Sequence, residues 1–353
     1  SYSKAKRSYN SHRVPPPFMN VDQTYIIAEA GVNHDGDIAK AHLLIDKAVE
    51  SGADAVKFQI YRTDEIVSPN SPLADYQKEA GERSQYDMVK RLELPNEDFA
   101  ALHAYAKEKG IDFITTPFDA KSAEFLASLG VEIIKIPSGE ITNIPFLQRV
   151  AALKIPTIIS TGMSTLEEIA EAIAPFKAAG TEYALLHCVS SYPAPAAQIN
   201  LHAMKTMKEA FSVPVGYSDH TEGIAVPIAA VALGAQIIEK HFTLNKTDPG
   251  PDHAASLEPQ EIAEMVQGIR IAEAALGSTE KACQPCESNT RDIARRSVQL
   301  VQDAKAGDII TEEMIAIKRP GTGIAPARIT EIIGKTLSED LPAETPLEEK
   351  HLT

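Results

Sequence analysis

One phrase recurs eight times between positions 25 and 241: a short run of apolar and β-branched residues, a polar break, then a stretch with helical spacing. The runs lie at 25–30 (YIIAEA), 55–59 (AVKFQ), 111–115 (IDFIT), 131–136 (VEIIKI), 156–160 (PTIIS), 183–188 (YALLHC), 215–218 (VGYS) and 236–241 (QIIEKH). Strands that are apolar throughout and separated by helices have both faces covered, which is the condition of a parallel sheet. Eight such units over about 250 residues close into an α/β (β/α)8 TIM barrel. The punctuation agrees. Gly110, Gly130, Gly180, Gly234 and Gly277 stand where helices should stop, and Ser164 with Glu167 reads as a capping box.

The repeat sets the domain boundaries. Residues 1–22, with PPP at 15–17 and no periodicity, read as an N-terminal arm that adds nothing to the core, and 23–277 as the barrel. The polar stretch 278–289 reads as a linker, and 290–353 as a second small domain with strand-like runs at 297–301 and 315–318 and a helix-like run at 329–333. The connection 61–94 is too long for an ordinary βα loop and predicts a lid or substrate wall.

A formal net charge of −15 opposes nucleic acid or an anionic membrane surface as partner. No apolar run approaches the roughly 18 residues that span a bilayer, and the first thirty residues show no signal-peptide pattern. Three cysteines fit a reducing cytoplasm rather than a disulfide framework. Cys283 and Cys286 form a lone CxxC in polar surroundings, which reads as incidental.

Chemistry should sit at the C-terminal strand ends. Two of them end in histidine, His220 after YSD and His241 after IEK. Each alone is most simply a satisfied structural residue; the pair points to one divalent metal. Lys57 and Lys135 fall inside strands, where an ammonium is costly unless an anion meets it. Ringed by hydroxyls, they describe a phosphate or carboxylate pocket, against the plainer reading that they pair with Glu29 and Glu140. Glu140 and Asp252 suit a polyol. The residues thus suggest joining a small phosphorylated anion to a polyol whose carbonyl a metal polarises, and leave a metal-dependent aldolase open.

The segments IIAEAGVNHDGD, AVKFQ, TTPFD, KIPSGEITNIP, STGM, LLHCVSSYPAP, VGYSDHTEG, IEKHFTL, GPDHAASLEP and IKRPGTGI resemble, in this order, the motifs of the sialic acid synthase family. That family takes in N-acetylneuraminate, N,N'-diacetyllegionaminate and pseudaminate synthases. The resemblance implies a barrel followed by a small antifreeze-like (SAF) domain, in a domain-swapped homodimer where each small domain covers the partner's barrel mouth. It implies a phosphoenolpyruvate-dependent synthase: phosphoenolpyruvate condenses with an N-acylated mannosamine-type sugar and water, and phosphate is released. Carried over, Lys57, Thr116, Lys135, Ser138, Ser160, Ser190 and Ser218 fall on phosphoenolpyruvate positions. Ser190 stands where some members have asparagine. His220 and His241 fall on ligands of a divalent metal, usually Mn2+, with Mg2+ or Co2+ as alternatives. Gln59, Glu140, Tyr192 and Asp252 fall on the sugar site, with Arg319 reaching it from the partner chain. Glu29, near the expected water path, is read as acid/base or water-orienting. Glu29, Glu140, His220 and His241 form the catalytic set.

Two other readings remain at this point. Octulosonate-phosphate and heptulosonate-phosphate synthases share barrel and chemistry but act on phosphorylated sugars without the tail domain. The tail alone would suit a non-catalytic glycan- or ice-binding protein. KIPSGEITNIP and GPDHAASLEP look at least as close to legionaminate as to neuraminate synthases.

Overall fold

The computed structural model describes residues 15–19, 23–71 and 84–353. Most of the expected N-terminal arm and positions 72–83 of the long connection lie outside the described residues. Contacts divide the chain into two units, Ser1–Gly277 and Ser278–Thr353.

In the first unit, eight parallel strands close in chain order: β1 (Tyr25–Gly31), β2 (Ala55–Ile60), β3 (Asp112–Pro117), β4 (Ile134–Ile136), β5 (Thr157–Ser160), β6 (Tyr183–Cys188), β7 (Val215–Asp219) and β8 (Ile237–His241). Because side chains alternate across a strand, one set fills the barrel and the other packs under the helices. Tyr25, Ile27, Ile114, Ile158, Leu186 and Ile237 belong to the inner core. One step of two residues further along each strand the interior turns polar: Glu29, Lys57, Thr116, Lys135, Ser160 and Glu239, all buried. Register puts Glu29 beside both Lys57 and His241, and Ser218 beside Glu239. The apolar layers are therefore a base on which a charged layer rests.

That base includes a residue the sequence reading assigned to the arm. Phe18, on a 3-10 turn at Pro17–Met19, is wholly buried in the inner cluster with Tyr25 and Ile27. The arm was expected to contribute nothing to the core. Phe18 instead fills space among the strands, where a large apolar group packs against Tyr25, Ile27 and Ile237 at the base of the inner core.

Helix ends follow local chemistry, with two corrections. Gly110, Gly130 and Gly180 take the left-handed cap conformation as expected, but Gly277 ends its helix at φ 53°, ψ −135°. The capping box is formed by Thr165 and Glu168, one residue later than expected. The sequence STLEE offers both frames, and the Ser164 hydroxyl donates to the Gly162 carbonyl instead. The long connection after β2 carries helices at Thr63–Ile66 and Gln85–Leu92, whose apolar faces meet Val32, Tyr61 and Phe118.

The second unit has its own core, centred on Val298, Leu300, Ile315, Ile324, Leu337 and Leu347. β9 (Ser297–Leu300) runs antiparallel to β10 (Ile315–Lys318). Part of the expected linker is ordered as a helix at Ser288–Ala294. No helix among the described residues is long and apolar enough to cross a membrane.

Candidate active site

The barrel mouth holds a cavity of about 400 Å3. Glu29, Lys57, Gln59, Thr116, Lys135, Ser138, Ser160, Ser190, Tyr192, Ser218, His220, His241 and Asp252 line it. Glu140 lies outside the lining, half-buried on the 3-10 turn after β4, and accepts a hydrogen bond from Asn143 Nδ2 at 2.7 Å. Arg319 belongs to the second unit, where it is exposed and unpaired among the described residues, while the Lys318 ammonium is engaged by Glu344 at 2.7 Å.

Four buried charges make the floor. Lys57 Nζ lies 3.0 Å from Glu29 Oε2 and 3.7 Å from Glu239 Oε2, and Lys135 Nζ lies 3.7 Å from Glu239 Oε1. The lysines do pair with acids, but Lys135 meets Glu239 rather than Glu140. Burial pushes the Glu29 carboxyl up, against the pull of Lys57. Burial acts on Glu239 the same way, yet Lys135, Lys57 and His241 outweigh it and hold this carboxyl well below the usual range. Burial likewise lowers Lys135, whereas Glu239 and Glu29 overcome burial at Lys57 and raise it. Neighbouring carboxyls pushed in opposite directions are a recognisable acid/base arrangement: one keeps its charge and the other trades a proton. The two buried lysine ammoniums give the floor the positive groups that an anionic ligand needs.

Hydroxyls complete the floor. Lys57 Nζ donates to Thr116 Oγ1 at 2.9 Å and Lys135 Nζ to Ser160 Oγ at 2.6 Å. Gly162 draws the fourth, fifth and sixth βα loops together. Its N–H donates to Ser138 Oγ at 2.8 Å, and a Cβ there would stand 2.3 Å from Ser190 Oγ. Only glycine lets the two serines approach this closely.

Above the floor, the rings of His220 and His241 lie 5.6 Å apart, with Tyr192 4.2 Å from the His220 ring. His220 Nδ1 donates to the Val189 carbonyl at 2.8 Å, which fixes the tautomer and leaves Nε2 with a free lone pair. His241 Nδ1 is buried without a protein partner, and burial lowers this imidazole to about 4, so it is neutral at pH 7. Burial lowers His220 too, but the Cys188 thiol and the Val189 carbonyl outweigh it and hold this imidazole above its ordinary value. Two imidazoles this close, each with a ring nitrogen not taken by the protein, suit a divalent ion. A second group, Asp35, Asp248 and His253, brings three potential ligand atoms within 4.8 Å of one another. There the Lys40 ammonium already stands 2.6 Å from each aspartate. A cation is thus supplied by the chain itself.

The side facing the long connection is apolar, built from Val32, Tyr61, Ile66, Met88, Val89 and Leu92.

Residues 44–281 match the family described as "NeuB family", and residues 295–353 match the SAF domain. The chain belongs to the NeuB family. A protein named N,N'-diacetyllegionaminic acid synthase from Legionella pneumophila is 50% identical over 93% of this chain and 94% of its own length. Another of the same name from Campylobacter jejuni is 46% identical over 90% and 97%. A crystal structure of the N-acetylneuraminic acid (sialic acid) synthetase of Leptospira borgpetersenii serovar Hardjo-bovis in complex with citrate superposes with TM-score 0.69 at 39% identity. It covers 76% of this chain and 90% of that one. In this NeuB-family chain, the connection 61–94 supplies most of the apolar wall, as expected, while sequence reasoning gave no role to two parts of the cavity, Glu239 and Cys188. Glu239 was findable, since residues 239 and 241 share a strand face. Cys188, whose Sγ lies 3.7 Å from His220 Nδ1, ends β6 on that same inner face.

Proposed function

We propose that this chain is a nonulosonic acid synthase, condensing phosphoenolpyruvate with an N-acylated mannosamine-type sugar and water and releasing phosphate. The observation that carries this reading is a floor of buried lysines and hydroxyls in one cavity with the paired imidazoles of His220 and His241. Lys57, Lys135, Thr116, Ser138, Ser160, Ser190 and Ser218 hold the phosphate and carboxylate. A divalent ion on His220 and His241, Mn2+ ahead of Mg2+ or Co2+, supplies Lewis acidity toward the acceptor's carbonyl oxygen when bound. C3 of phosphoenolpyruvate bonds to the aldehyde carbon, water adds at C2, and the C2–O bond to phosphate breaks. Glu29, whose proton affinity burial raises, holds the water or its proton. Gln59, Tyr192 and Asp252, which line the cavity, bind the acceptor; Glu140, outside that lining, is left to its bond with Asn143. The enzyme works in the cytoplasm, where exposed thiols such as Cys283 and Cys286 stay reduced.

The apolar wall favours the 4-acetamido-6-deoxy acceptor over N-acetylmannosamine, because a methyl gains and a hydroxyl loses by desolvation there. In a phosphate-release assay, the deoxy sugar is expected to show the higher kcat/KM, by about tenfold or more. Equal or reversed values would assign the wall no part in selection, and turnover only with phosphorylated acceptors would overturn the reading.

Arg319 is assigned to the acyl group of the sugar in the partner's barrel, in a swapped homodimer. Mixing inactive Arg319→Ala and His241→Ala chains should restore about a quarter of wild-type activity, since about half of randomly formed dimers then carry one complete site. No recovery in confirmed heterodimers places Arg319 outside the partner's site.

A further inference from the structure

We propose that Lys40, Asp35, Asp248 and His253 form a clasp between the first and eighth βα loops, and that it sets Asp252 in position for the acceptor. The proposal rests on the reading above that Asp252 meets the sugar. Lys40 lies in the first turn of the helix Ile38–Ser51, where the helix dipole disfavours a cation. Two carboxylates explain its presence. The ammonium lies 2.6 Å from Asp35 Oδ2, five residues before it, and 2.6 Å from Asp248 Oδ2, 208 residues away.

From Asp35 the network turns inward. Fully buried His253 donates from Nε2 to Asp35 Oδ1 at 2.8 Å, and its Nδ1 accepts from Thr243 Oγ1 at 2.6 Å. This ring has both nitrogens engaged and no lone pair to spare. Gly250 passes directly over the pair. A Cβ there would meet His253 Cδ2 at 2.7 Å and Asp35 Oδ1 at 3.2 Å. On the far side, Ser256 Oγ donates to the Asp252 carbonyl at 2.6 Å and accepts from Asn33 Nδ2 at 3.0 Å.

Asp252 is therefore bracketed on both sides by residues tied to the first loop. Asp252 itself lines the cavity, together with Tyr61 and His241. Lys40, Asp35 and His253 are absent from the cavity lining. They act through Asp252, as positioning residues.

The test is Lys40→Met, which keeps the aliphatic stem, compared with Lys40→Arg and Asp252→Asn in the full-length, metal-loaded enzyme. Lys40→Met is expected to raise the KM for the acceptor about tenfold to a hundredfold, as a displacement near 1 Å does. The KM for phosphoenolpyruvate should stay within about twofold, and Lys40→Arg should recover most of the loss. Equal rises in both KM values, or a fall in Tm with neither changed, would reduce the network to scaffold. Restoration of Lys40→Met by added Mn2+ or Ca2+, with ion binding lost in Asp248→Asn, would make the cluster a metal site instead. An unchanged acceptor KM in Asp252→Asn would sink the acceptor assignment itself. A raised one with Lys40→Met silent would sink the clasp alone.

Discussion

Lys135→Ala is expected to raise the KM for phosphoenolpyruvate by about 30-fold to several thousand-fold while leaving the acceptor KM nearly unchanged. The range corresponds to about 2 to 5 kcal/mol for truncating one side of a buried charge contact. The two floor lysines should differ in what else they cost. Lys135 is bonded to Ser160 Oγ, and its nearest acid is 3.7 Å away, so its removal falls mainly on the ligand. Lys57 lies 3.0 Å from Glu29 and 3.7 Å from Glu239. Lys57→Ala leaves two buried carboxyls facing each other and should lower Tm as well as weaken phosphoenolpyruvate binding. Steady-state kinetics on both substrates, with thermal melts of both variants, separates these effects. Parallel losses for both substrates would assign the lysines to the scaffold.

His220→Ala and His241→Ala are each expected to abolish turnover, as is exhaustive chelation, with activity returning when Mn2+ is restored to the wild type. The expectation follows from two imidazoles 5.6 Å apart in one cavity, His241 with a buried nitrogen that no protein group meets, and from the cost of losing a ligand from a two-histidine set. A second readout avoids activity altogether. An ion that binds the folded state raises its Tm by mass action, so added Mn2+ should raise the melting temperature of the wild type and not of His241→Ala. Full turnover in rigorously metal-free buffer, or an equal Tm rise in His241→Ala, would remove the ion from these residues.

Much of the barrel was legible because its signals are local. Strand ends, glycine caps and the long second connection all follow from short-range pattern, so β6 runs over the residues expected. β4 shows the limit: VEIIKI reads as six residues of strand, but only Ile134–Ile136 pair, and Glu132 remains exposed. The floor lysines and mouth histidines were visible because charged residues inside apolar runs demand an explanation. Glu239 was harder to read because it sits two residues inside the strand end, and its partners Lys57 and Lys135 come from other strands. The clasp could not be read, since Lys40 and Asp248 meet only after the sheet has closed on itself. Phe18 was equally hidden, sitting in a proline-rich stretch with no periodicity to mark it.

Phe18 has a further consequence. With its ring packed into the base of the barrel interior, the interior is a blind shaft rather than a pipe, and among the described residues the floor is open only toward the mouth. A ligand bound on the lysine floor must enter before anything occupies the rim around Tyr192 and Asp252. Two-substrate kinetics are then expected to follow a compulsory order, with the floor ligand leading. An acceptor that arrives first obstructs its partner, so in initial-rate measurements excess acceptor is expected to inhibit competitively with the floor ligand.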